Sequence, residues 1–192
     1  MFNDKVKSQD VATSSLTAGG SAADSASAKG VYKVQCHDKD GNLKWEAEAP
    51  NLVVNVGLQD MNAKYFTGVA YTATWFLGLY GSGATNTPAA GDTMSSHAGW
   101  TEVVAYSQAT RPVCTFGTPT TANPSVATNS ASPATFSING TTTVGGAFLT
   151  SNSTKGGTTG TLFSAADFSA PGDRSVVSAD TLSVTYTLSL AG

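Results

Sequence analysis

His97 stands beside Ser95 and Ser96 with Asp92 just upstream, so one short stretch carries the letters of a hydrolase triad. A triad needs nucleophile, base and orienting carboxylate in series, and residues crowded into one turn cannot be arranged that way. A packed or capping histidine is the expectation. His37 lies next to Cys36, Asp38 and Asp40, which is the composition of a metal site. Adjacent strand residues point to opposite faces, however, and no Cys-x-x-Cys or His-x-x-x-His pair supplies further ligands. Asp38, Asp40 and Asn42 also match the start of a calcium loop, but the closing bidentate glutamate is replaced by Ala49. The segment is expected to be a hairpin turn.

The remaining acidic residues, among them Glu46, Glu48, Glu102, Asp167, Asp173 and Asp180, fall in turns or at strand ends, with no pattern that would bring two together for glycoside hydrolysis. Gly145-Gly146 and Gly156-Gly157 have neither a following helix nor a lysine, and read as turn or bulge glycines instead of a phosphate cradle. Trp45, Trp75 and Trp100, with Tyr71, Tyr80 and Tyr106, are the residues of a sugar-binding platform, but on strands they are expected in the core. No catalytic, cofactor-binding or metal-binding residue is assigned, and the chain is expected to be non-enzymatic.

Composition narrows the partners. The chain has 192 residues, 40% of them apolar, enough for one domain with a substantial core. A net charge of -3 with 12% charged residues gives no basic field for a phosphate backbone, so nucleic acid is not expected as a partner. The longest apolar stretch, near Val69 to Tyr80, is broken by Thr72, Thr74 and Gly78 and falls well short of the roughly 20 residues of a spanning helix. A membrane partner is not expected either. The first residues, Met-Phe-Asn-Asp-Lys-Val-Lys, show no apolar h-region, so the chain is expected to be made in, and to stay in, the cytoplasm of its maker unless it leaves inside an assembly. Cys36 and Cys114 are too few for a disulfide framework and are expected as free buried thiols.

The elements that would position these residues are mostly strands. Asp180 to Leu190 alternates apolar and hydroxyl residues without a break, with Leu182, Val184, Tyr186, Leu188 and Leu190 on one face of a half-buried strand. Val31 to His37 and Leu43 to Ala47 alternate about the turn and read as a hairpin. Leu58, Met61 and Tyr65 recur at helical spacing, with Asn55 to cap the start and Gly68 to end the helix. Tyr71 to Tyr80 returns to period two with both faces apolar, as in a central strand, and Trp100 is expected to anchor the segment after Gly91 onto the sheet. Further strands are predicted at Val103 to Ser107, Val113 to Gly117, Ala134 to Ile138, Thr143 to Thr150 and Thr161 to Phe163. The fold class is therefore all-β, a β-sandwich or jelly-roll-like body over residues 30–192 with one short helix.

Residues 1–29 differ. They are rich in Ser, Gly and Ala, and Phe2, Val6, Val11 and Leu16 are the sizeable apolar groups. Such a segment cannot offset its ordering entropy by its own burial, so it is expected to be a flexible N-terminal arm whose four apolar residues bind a partner.

Asn51-Leu-Val-Val-Asn-Val-Gly-Leu, Lys64-Tyr-Phe-Thr-Gly-Val-Ala-Tyr-Thr-Ala-Thr-Trp-Phe-Leu-Gly-Leu and Ala90-Gly-Asp-Thr-Met-Ser-Ser-His-Ala-Gly-Trp-Thr-Glu resemble a group of small virion structural proteins of tailed bacteriophages. Ala131-Ser-Pro-Ala-Thr-Phe-Ser-Ile-Asn and Val144-Gly-Gly-Ala-Phe-Leu carry the same likeness, which covers roughly residues 30 to 190. The resemblance implies a decoration or cement protein on the capsid exterior, like the jelly-roll cement proteins of some short-tailed phages. The implied partner is the major capsid protein, and repeated shell positions suggest a homo-oligomer, dimer or trimer. A tail or baseplate component and a carbohydrate-binding adhesin are the alternatives.

Overall fold

The computed structural model describes residues 26–71, 74–81, 87–169 and 172–192. In chain order the first half runs β1 (Ser27–His37), β2 (Leu43–Pro50), β3 (Leu52–Val53), α1 (Asn55–Phe66), β4 (Trp75–Tyr80) and β5 (Val113–Cys114). The second half runs β6 (Ser125–Thr128), β7 (Ala134–Ser137), β8 (Thr142–Val144), β9 (Gly146–Thr150), β10 (Leu162–Asp167), β11 (Arg174–Val176) and β12 (Thr181–Ala191). All strand pairing is antiparallel.

One sheet is ordered β2-β1-β12-β6, with β7 also on β12; the other is β3-β10-β9-β4-β5; and β11 pairs β8 as a ribbon. β12 is the organising strand of the first sheet. Its alternation buries Leu182, Val184 and Tyr186 and leaves the hydroxyl residues between them half-exposed. β1 pairs with it along its whole length, from Ser27 opposite Ala191 to His37 opposite Thr181. The opposite side of β12 is shared, β6 taking Thr187 to Leu190 and β7 taking Thr181 to Val184. Between these two partners the fully buried Asn129 side chain closes the gap. Its Oδ1 accepts the Tyr186 N–H at 2.7 Å and its Nδ2 donates to the Val184 carbonyl at 3.2 Å. One amide thus does for the ladder what a strand residue would do.

The inward faces of the two sheets meet in one core. Tyr32, Val34, Cys36, Leu182, Val184 and Tyr186 from the first sheet pack with residues of the second, among them Leu77, Leu79, Leu149 and Phe163. A hydroxyl cluster crosses this interface. The Tyr32 hydroxyl lies 2.7 Å from Ser164 Oγ, and Tyr186 Oη accepts from Ser164 Oγ at 3.3 Å and from Asn51 Nδ2 at 2.8 Å. Burial pushes both phenols above their ordinary pKa, so they stay neutral inside the core. The second sheet is covered on its other face too. Trp100 lies against Tyr80 and Phe148, and Met94, Val54 and Leu162 complete that layer. β9 is consequently buried at every position.

The all-β sandwich read from the sequence is the fold found, with its single described helix in the predicted place. Details differ for physical reasons. Ser27, Ala28 and Lys29, placed in the arm by composition, are the first rungs of β1, held by backbone pairing to Ala191, Leu190 and Ser189, which composition does not reveal. Val54, and not Asn55, is the N-cap of α1, with no side-chain bond at that end. Gly68 does take the left-handed conformation at φ 71°. Residues 103–107 form only an isolated bridge between Tyr106 and Ile138 in place of the expected strand. The predicted strand from Thr143 to Thr150 is two strands, because the chain changes partner at Gly145, whose N–H donates to the Tyr80 carbonyl. A side chain on the next residue, Gly146, would meet the Tyr80 ring and the Ala166 carbonyl.

Asn129→Ala should strip partners from a buried N–H and a buried carbonyl of β12. We expect a loss of about 3 kcal/mol, read from the midpoint of equilibrium urea unfolding, since each orphaned group costs roughly 1–3 kcal/mol. An unchanged midpoint would remove the amide from its bridging role.

Candidate functional site

The triad letters do not assemble. His97 stacks on Trp100 at 3.8 Å between ring centres, and its Nδ1 lies 3.0 Å from the Trp100 carbonyl. Asp92 Oδ2 accepts the Ala89 N–H at 2.9 Å and the Trp100 indole N–H at 3.3 Å, while Ser95 Oγ sits 3.2 Å from Thr93 Oγ1. These bonds all stay within the 89–100 segment, and no hydrogen bond joins one triad letter to another among the described residues. Asp38 is likewise spent locally. Its carboxylate accepts the Asn42 side-chain amide at 3.0 Å and the backbone N–H groups of Asn42 and Asp40 at 2.9 Å, which holds it below the usual carboxylate range. Gly41, at φ 85°, makes the turn. Cys36 is buried and His37 half-buried on either side of a register shift in β1.

Buried charge is instead concentrated around Arg111, a residue that no local pattern singles out. Arg111 is 0% exposed. Its Nε and Nη2 donate to the two oxygens of Glu102 at 2.9 and 2.7 Å, and Nη1 and Nη2 donate to the carbonyls of Asn152 and Gly157 at 2.9 and 2.7 Å. The guanidinium also lies over the Phe148 ring. Glu102 Oε2 accepts the Gly156 N–H in addition. Lys155 reaches the other way, donating to the Tyr106 and Gln108 carbonyls at 2.9 and 2.8 Å over the Tyr106 ring. Loop 151–160 is thereby tied to the body by two cations. From Ala70 onward the sequence holds three basic residues, Arg111, Lys155 and Arg174. A cation in so uncharged a stretch signals a buried partner, and that was the available clue.

The surface that stands apart is apolar. Where the sheets part beside the C-terminal end of α1 they leave a groove of about 480 Å³. Its floor is Met61, Trp75, Phe116, Phe163, Leu188 and Leu190. Tyr65 (84% exposed), Phe66 (75%) and Tyr71 (79%) stand at its edge, with Val69 exposed nearby. Its origin is local. α1 comes close to β10 because Gly57 lies directly on the Phe163 backbone, where a side chain would collide. That approach seats Met61 against the core but turns Leu58 and Tyr65, members of the same helical stripe, to the outside. The inward face of β12 continues past Tyr186 through Leu188 to the exposed Leu190. Of the aromatic residues first considered, Trp100, Tyr80 and Tyr106 are buried, whereas Trp75 and Tyr71 open onto this groove.

No protein family, curated protein or solved structure matches this chain. The groove and its aromatic rim therefore have to be read on their own chemistry. Phe2, Val6, Val11 and Leu16, the expected partner-binding residues, lie outside the described residues.

Both cysteines are free and buried. Burial pushes the Cys36 thiol up to about 11, with the Asp180 carboxylate adding to it, and burial alone pushes Cys114 up to about 12. Folding thus favours the protonated thiols. Their contribution to stability is intact below the ordinary thiol range near 9 and is lost as pH rises from there toward 11 and 12. At pH 8 neither thiol should react with a disulfide reagent in the folded protein, whereas both should react at once in denaturant; rapid native labelling would contradict the burial. Arg111→Ala should leave the Glu102 carboxylate without its partner and cost roughly 3–5 kcal/mol in urea unfolding. Hydrogen exchange should localise the loosening to residues 151–160, and exchange there unchanged from the parent would show that the loop is held by other contacts.

Proposed function

We propose that this chain is a non-enzymatic virion structural protein of a tailed bacteriophage, a decoration or cement protein that sits on the capsid exterior and binds the major capsid protein. The observation that carries the reading is the aromatic rim of Tyr65, Phe66 and Tyr71, an exposed apolar surface on a body whose buried Arg111 and Asn129 are bonded internally. Contiguous apolar surface of this kind marks a protein interface. Covering one such aromatic side chain is worth about 1.5–3 kcal/mol, so a few of them hold a protein to a shell. The resemblance over residues 30–190 supplies the viral setting, and a rigid sandwich is suited to bridging the seams between shell subunits. Residues 1–25 add a tether: an apolar-spotted segment can lie along a neighbour or pair with a sheet edge. A dimer or trimer would multiply either contact by avidity.

The test is a particle reconstitution. Virions of the encoding phage lacking this protein are mixed with the full chain, with Phe66→Ser, or with a chain lacking residues 1–25, and imaged by electron cryo-microscopy. Deletion stops at residue 25 because β1 begins at Ser27. The full chain should appear as regular density on the head, Phe66→Ser should lower occupancy at least tenfold, and the shortened chain should stay soluble and folded yet no longer hold to the head. Density on the tail or baseplate, or no density at all, would overturn the proposal; full occupancy by the shortened chain would overturn the part given to the arm.

A further inference from the structure

The groove floor and the exit of the N-terminal segment are neighbours. Ser27 pairs with Ala191 and Ala28 with Leu190, and Leu190 together with Leu188 lines the groove. Ala28 itself packs against the same core cluster as Leu188. The start of β1 therefore lies at the lip of the apolar groove. The composition of residues 1–25 fits that position. Residues 17–25, Thr-Ala-Gly-Gly-Ser-Ala-Ala-Asp-Ser, are a linker of small residues with no large apolar group; Leu16 comes immediately before it and Val11 five residues earlier. A linker of nine such residues has an end-to-end distance of about 17 Å, a reach that brings Leu16 within range of the groove floor. Tethering at that length gives an effective concentration in the millimolar range, far above that of any second copy in dilute solution.

We propose that in the free protein the groove is occupied by residues 1–25 of the same chain, with Leu16 and Val11 seated on the floor formed by Met61, Trp75, Phe116 and Leu188. The groove is apolar throughout its floor, and its edge carries the Asp60–Lys64 ion pair at 2.8 Å, which leaves the interior to aliphatic and aromatic side chains. Insertion removes apolar surface of both partners from water and is opposed by the entropy of ordering the segment. The balance is modest, and the docked segment is one that a larger apolar surface can displace. This inference concerns the chain in solution and does not rest on the capsid reading.

The test uses the full chain with the photoreactive residue p-benzoylphenylalanine placed at Phe66 or at Tyr71, both exposed positions whose replacement leaves the core intact. Isotopically heavy and light copies are mixed before illumination, and the adducts are mapped by mass spectrometry. The expected result is adducts to residues 1–25 within single-isotope chains, with a yield that falls at least tenfold in Leu16→Asp. Adducts joining heavy to light chains would show a second copy in the groove and overturn the proposal. So would adducts that miss residues 1–25 from both positions, or a yield unaffected by Leu16→Asp.

Discussion

The backbone ladder of β12 is the constraint on which the remaining structure depends. This strand meets β1 along one side and β6, Asn129 and β7 in succession along the other, so every element of the first sheet except β2 is registered against it. Because side chains alternate with period two, that register decides at once which residues face the second sheet. The Tyr32, Ser164 and Tyr186 hydroxyls then fix how the sheets stand over one another, since they bond only if β1, β12 and β10 are all in place. The groove is the other end of the same arrangement. The inward face of β12 runs on past the region that the second sheet and α1 cover, and the surplus lines the groove.

Few charges are present, and the buried ones act as fasteners. Arg111 serves loop 151–160 by bonding two of its carbonyls while Glu102 takes its Gly156 N–H. Asp180 serves the start of β12 by accepting both Lys44 Nζ at 2.5 Å and the Val177 N–H at 2.9 Å. A carboxylate or guanidinium with several donors and acceptors to satisfy is demanding of geometry, and in a Thr/Ser/Gly-rich chain with small apolar side chains that demand selects one loop conformation from many. The groove asks little of geometry by comparison, having neither charge nor directional bonds on its floor.

The sequence made the strands with unbroken alternation legible, β12 and the β1–β2 hairpin above all, because period two over several residues has one structural meaning. The helix was legible from Leu58, Met61 and Tyr65, but not which of them would be covered; that was decided by Gly57 meeting Phe163, a contact between residues far apart in the chain. β6 and β11 were not anticipated, since Ser-Val-Ala-Thr and Arg-Ser-Val are too short to display a period. Asn129 and Arg111 were missed for a related reason. Their significance lies in what they bond across the fold, and a single polar residue carries no local pattern. The groove follows from tertiary packing of residues that each look like ordinary core.

β2 forms one boundary of the first sheet, with no further strand paired to it among the described residues. Lys44, Glu46 and Glu48 alternate along it, and it ends in Pro50. Lys33 and Gln35 hold Glu46 in place from β1. Ionic side chains of both signs and a residue without an N–H make a poor template for recruiting another chain by main-chain pairing. Edge-to-edge zippering through β2 is thereby disfavoured even where copies crowd side by side, while the aromatic corner beside α1 stays uncovered.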